Sequence, residues 1–147
     1  MDNIQIKSEP FDPWAILQEF QRQAITEPAR SGANAVFLGT MRDLNEGVGV
    51  ATMTLEHYPG MTEQHLRQIV AEAKTQWDVQ ECLIVHRVGP MHPTDTIMLT
   101  AVWSAHRKEA FDACRYLVEA LKHRAPFWKH EMLDSGDTRW VESNTPG

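Results

Sequence analysis

The stretch from His106 to Pro126 constrains the fold more than any other part of the chain. Ala110, Phe111, Cys114, Leu117, Val118 and Leu121 fall at helical spacing and draw one apolar stripe along a helix running roughly from His106 to His123. Pro126, which cannot sit inside a helix, ends it. A helix of that length with a single apolar stripe has to lay the stripe on another element. The rest of the chain offers mostly strands. Residues 33–41 form a compact apolar run ending at Gly39-Thr40-Met41-Arg42, which suits a buried strand. Across residues 50–58, Ala51, Met53, Leu55 and His57 share one face, and Thr52, Thr54, Glu56 and Tyr58 share the other. Residues 79–88 and 96–103 make two more strands, joined through Gly89-Pro90 to Asp95.

Two further helices are marked at their starts. Asp12-Pro13 reads as an N-cap followed by proline at the first helical position, with Trp14, Leu17, Phe20 and Ala24 behind it. Thr62 can cap a helix that carries Leu66, Ile69, Val70, Ala73 and Trp77 on one stripe. Ile4 and Ile6 alternate like a short edge strand, Asp43 to Gly49 has loop composition, and Arg139-Trp140-Val141-Glu142 closes the chain as a last short strand. The order β-α-β-β-α-β-β-α-β predicts an α+β fold, with helices packed on a mainly antiparallel sheet. At 147 residues the chain is expected to be a single domain. A chain of that size buries about 68–70% of its unfolded surface, enough for a core without staples.

Several chemistries are unmarked. Cys82 and Cys114 are isolated within apolar segments, so buried free thiols are expected rather than a disulfide or a Cys-x-x-Cys metal site. The seven histidines form no His-Glu-x-x-His and no His-x-His, and Glu56 and His57 point to opposite strand faces, so no metal site is expected. Neither a Walker-type phosphate loop nor a marked Ser or Cys nucleophile occurs. Met1-Asp2-Asn3-Ile4 lacks the basic and apolar regions of a signal peptide. No apolar run approaches the ~20 residues of a membrane helix. The expected location is the cytoplasm.

A formal charge of −6 argues against general nucleic-acid affinity. The charge is unevenly spread, however. Between Ser104 and His130 six Lys/Arg stand against three Asp/Glu, so that segment carries +3 and the remainder −9. Three spots could hold a small anion. Lys122 and Lys129 flank Pro126, which lets the chain fold Lys129 back toward Lys122; two ammonium groups brought together lower each other's proton affinity and suit an anion or a reacting amine. Ser104-Ala105-His106-Arg107 marks a helix start, where backbone N–H groups favour phosphate. Gly39-Thr40-Met41-Arg42 ends a strand before a glycine-containing loop. Each spot also reads as ordinary surface charge: helix-end lysines favoured by the dipole, a capping segment, a solvent-facing arginine.

Four runs together resemble the large, catalytic subunit of molybdopterin synthase. They are Leu55-Glu56-His57-Tyr58-Pro59-Gly60-Met61, Val85-His86-Arg87-Val88-Gly89, Ser104-Ala105-His106-Arg107 and Lys122-x-Arg124-Ala125-Pro126-Phe127-Trp128-Lys129. The resemblance covers residues 32–142; residues 1–31 lie outside it as an N-terminal strand and helix, and 143–147 form a short tail. It implies an α/β hammerhead-type domain and a homodimer of large subunits within a heterotetramer, with no cofactor of its own. The partner would be a small ubiquitin-like subunit whose C-terminal Gly-Gly thiocarboxylate donates sulfur. The substrate would be cyclic pyranopterin monophosphate, converted to the dithiolene of molybdopterin. Carried over residue by residue, Lys122 and Lys129 are the expected catalytic pair. Substrate contacts are expected from Thr40, Met41, Arg42, His106, Arg107, Lys122, Lys129, His130 and Glu131, with Phe127 and Trp128 as aromatic walls. The rival reading is a non-catalytic module that uses the basic patch to hold a phosphate ligand or RNA; the negative total charge and the lack of an aromatic strand motif weigh against RNA.

Overall fold

A computed structural model describes residues 1–142, so the expected tail at 143–147 lies outside the described residues. In chain order the elements are β1 (Ile4–Lys7), α1 (Pro13–Ala24), a 3-10 turn (Pro28–Arg30), β2 (Ala33–Thr40), β3 (Leu44–Asn45), β4 (Val48–His57), α2 (Met61–Gln76), β5 (Glu81–Arg87), β6 (Gly89–Met91), β7 (Thr96–Ser104), α3 (Arg107–His123), β8 (Phe127–Leu133) and β9 (Thr138–Trp140). One sheet has the order β1-β5-β7-β2, and a second has β3-β4-β8-β9 with β6 added on β4. The pairing of β1 with β5 is parallel; the other strand pairs run antiparallel. The α+β expectation holds. Among the described residues no helix is long and apolar enough to cross a membrane.

The first sheet is covered on both faces, which explains the unbroken apolar run in β5. Cys82 and Ile84 face the stripes of α2 and α3, packing with Leu66, Ile69, Leu117 and Leu121. Leu83 and Val85 point the other way, onto Phe20 of α1 and Trp103. The third core, from Met41, Val50, Met53, Leu55, Val88 and Met91, joins the second sheet to the first. Both cysteines are free and buried, and burial pushes the Cys82 thiol up to about 12 and raises that of Cys114, so neither is a ready nucleophile. Leu117 is fully buried between α3 and the sheet. Leu117→Ala is therefore expected to cost about 2–5 kcal/mol, read as a lower denaturant midpoint at unchanged slope.

The helix starts follow local chemistry. Asp12 caps α1, its carboxylate accepting from the Trp14 and Ala15 backbone N–H groups at 3.0 and 3.3 Å, with Pro13 behind it. For α2 the cap is Gly60, at φ 83°, and not Thr62. Glu63 reaches back to accept the Gly60 N–H at 2.8 Å, and Thr62 lies buried inside the first turn, where its hydroxyl accepts from the Tyr58 N–H.

Four other expectations are corrected. Phe111 does not belong to the buried stripe: it is 67% exposed, because it lies beside β2, the last strand of its sheet, beyond which none of the described residues covers it. In β4 a register shift between Val50 and Thr52 turns Val50 inward and Ala51 outward, so the even alternation breaks there. The segments expected as loops hold the short strands β3 and β6. Finally, the segment after Pro126 is the seven-residue strand β8, held between β4 and β9.

Candidate functional site

The site is built where α3 ends and β8 begins. Lys122 stands in the last turn of α3, Arg124 closes the helix through its N–H to the Ala120 carbonyl at 2.8 Å, and the chain reverses at Pro126. In β8, Phe127, Lys129 and Glu131 point inward while Trp128, His130 and Met132 point outward. Lys129 thereby returns to the side of Lys122. Both line one cavity of about 250 Å³, together with Thr40, His86, Phe127, Trp128 and Glu142 over a floor of Leu55, Ile97 and Met98. A smaller neighbour of about 120 Å³ shares Thr40, Lys122 and Lys129 and adds Met41, Arg42, Asn45 and Glu131.

Burial pushes the proton affinity of Lys129 down, the charge of Lys122 lowers it further, and Glu131 acts weakly in the opposite sense. An ammonium held this way gives up its proton more readily than a surface lysine. Thr40 pairs with Thr96 at the end of β2, and Met41 is fixed by main chain: its N–H donates to the Asp95 carbonyl at 2.9 Å and its carbonyl accepts from the Thr94 N–H at 2.8 Å. Met41 is buried and Arg42 exposed.

Other expected site residues are placed differently. Glu131 is buried with both oxygens in use, one accepting from Asn45 at 3.0 Å and the other from Arg139 at 2.8 Å. It clips β3, β8 and β9 together and also lines the smaller cavity. His130 lies on the outer face of β8 with its ring against Trp140, 4.7 Å between centroids, away from both cavities. His106 and Arg107 are at the opposite end of α3 from Lys122. Fifteen residues of helix at 1.5 Å each put about 22 Å between Arg107 and Lys122 along the axis. One chain therefore does not bring these two spots to one pocket.

His86 escaped notice as a site residue. It lies inside the run Cys82 to Val88, every member of which is buried. A histidine and an arginine in such a run must find partners indoors, which was the available signal. Its Nδ1–H donates to the Arg87 carbonyl at 2.8 Å, and its ring stacks on Phe127 with centroids 3.9 Å apart and planes at 14°. Burial, with the charges of Lys129, Lys122 and His57, pushes it down to about 4. At neutral pH it is an uncharged ring in a cavity walled by two lysines.

The sequence profile of the family described as MoaE protein matches residues 6–124, a span that begins in β1 and runs through α3. The chain belongs to the MoaE family. A protein of Ralstonia nicotianae called molybdopterin synthase catalytic subunit is 53% identical over 76% of this chain and 63% of its own length. The protein of the same name from Haemophilus influenzae is 43% identical over 95% of this chain and 89% of its own. The crystal structure of molybdopterin synthase from Staphylococcus aureus superposes with a TM-score of 0.83 at 33% identity, covering 96% of this MoaE-family chain and 98% of that one. Lys122 and Lys129 fall on either side of the end of the matched span.

Proposed function

We propose that this chain, as the catalytic subunit of a molybdopterin synthase, moves sulfur in the cytoplasm. The donor is the C-terminal thiocarboxylate of a small ubiquitin-like subunit, and the acceptor is cyclic pyranopterin monophosphate. The observation that carries the reading is the convergence of Lys122 and Lys129 on one cavity with aromatic walls. Thiocarboxylate and phosphate are both anions, and a cavity that receives both needs cations that are already in place. A slender tail can enter such an opening: extended chain advances ~3.3 Å per residue, and Gly-Gly at its tip has no side chains to obstruct it.

His106 and Arg107 find a role if a second copy completes the cavity. A groove of about 560 Å³ between β2 and α3, with Val36, Phe37, Phe111 and Val118 along it, runs to Arg42 and Lys122. Val36, Phe37 and Phe111 are exposed there, an apolar surface of the kind that marks an interface. A two-fold axis crossing α3 near Cys114 and Arg115 would lay two copies of the helix antiparallel. Each copy's Arg107 would then stand beside the other's Lys122.

The test is reconstitution from purified components: this chain, a thiocarboxylated small subunit and the pterin precursor. Molybdopterin should form, and should not form when the small subunit ends in an ordinary carboxylate. Binding of the precursor without any sulfur transfer would leave a phosphate-holding module instead.

A further inference from the structure

Sulfur transfer from a thiocarboxylate has a second half that the lysines are poorly suited to perform. When the donor sulfur adds to an electrophilic C=O carbon of the pterin, the π electron pair moves to that oxygen, which takes a proton. The product is a thioester joining the small subunit's acyl group to the pterin through sulfur. To free the sulfur, water must add to the acyl carbon. The carbon–sulfur bond then breaks with its electron pair leaving on sulfur as a thiolate, and the small subunit ends as a carboxylate. Two protons are released, one from the attacking water and one as the acid ionises. The first must be accepted inside the cavity.

We propose that His86 is a further catalytic residue of this reaction, its Nε2 taking the proton from the water that cleaves the acyl–sulfur bond. The assignment rests on the sulfur-transfer reading above. A carbonyl oxygen can only accept, so the contact with Arg87 places the proton on Nδ1 and leaves Nε2 as the nitrogen with a lone pair. Stacking on Phe127 holds the ring plane, and His86 forms part of the cavity wall with Lys122 and Lys129. The other candidates are worse placed. Protonated lysines have no lone pair, and Glu131 spends its oxygens on Asn45 and Arg139. Glu142 is exposed.

The surroundings also tie the base to the presence of substrate. Burial first, and then the charges of Lys129 from β8, Lys122 from α3 and His57 from β4, disfavour a proton on this imidazole, so it stays available as an acceptor. Once a thiocarboxylate and a phosphate sit against the lysines, their negative charge opposes that effect and raises the affinity of the imidazole for a proton. It becomes a stronger base when there is something to cleave.

The test is a single turnover with thiocarboxylated small subunit and precursor, quenched and read by mass spectrometry of the small subunit. His86→Asn keeps an amide N–H for the Arg87 carbonyl but has no basic nitrogen; His86→Gln keeps polar reach without basicity. With the wild-type chain the small subunit should return as the free carboxylate. With either variant it should accumulate with the mass of the pterin attached, releasable by hydroxylamine, and acyl cleavage should slow by about 10²-fold or more. Cleavage at the wild-type rate would overturn the proposal, as would complete loss of activity with no adduct. Failure of both variants to fold would overturn it in favour of a structural histidine. Failure of the wild-type chain to transfer sulfur would overturn the sulfur-transfer reading itself.

Discussion

Lys122→Ala is expected to slow sulfur transfer by about 10²–10⁴-fold, the usual effect of removing a group that handles charge or a proton in the reaction. Folding should be nearly unchanged. Lys122 lies in the last turn of α3, only partly buried, and substitutions at such positions usually shift stability by under ~0.5 kcal/mol. Lys129→Ala should behave alike, for a related reason. Each lysine holds an anion, and Lys129, desolvated and beside the charge of Lys122, is primed to release a proton. Removing Lys122 relieves that repulsion and raises the proton affinity of Lys129, so Lys122→Ala damages the pair rather than one member. Lys122→Arg separates charge from proton transfer. A guanidinium keeps the positive charge but does not give up its proton, so activity should stay low. Recovery to more than a tenth of the wild-type rate would mean that charge alone is required. Loss of folding in step with activity would make Lys122 structural.

Much of the scaffold was legible because helices announce their ends. Asp12-Pro13 and Pro126 placed one boundary each, and the stripes of α2 and α3 faced the sheet as the periodicity required. Strand β8 was not legible. Its inward side carries Phe127, Lys129, Glu131 and Leu133, and its outward side Trp128, His130 and Met132, so neither side is clean. The inward polar residues are there to line a cavity and clip a sheet, and it is that function which erases the alternating pattern. Phe111 failed for a different reason. Periodicity tells which residues share a helix face, but it does not tell where the covering sheet stops, and here it stops at β2. For His106 and Arg107 the warning was already in the sequence, since a helix that continues to Lys122 carries them one helix length away.

That separation yields the sharpest prediction about assembly. Arg107→Ala and Lys122→Ala should each inactivate the enzyme as a homodimer, yet co-expressed together they should recover about a quarter of wild-type activity. In a symmetric dimer whose cavities combine Lys122 of one copy with Arg107 of the other, random pairing makes half of the dimers mixed. Each mixed dimer has one cavity with both residues intact and one with both missing. Half the dimers with half their cavities working gives about one quarter. The exposed Phe111 supplies a control, because it lies on the face that the second copy would cover. Phe111→Asp should weaken association and reduce activity while leaving the fold of a single copy intact, since a side chain already 67% exposed contributes little to the core. The measurements are activity of the co-expressed pair and sedimentation of the Phe111 variant. If the two inactive variants restore nothing although mixed dimers are present, Arg107 does not serve its neighbour's cavity. The shared-cavity arrangement would then be wrong even with Lys122 and Lys129 still at the centre of the chemistry.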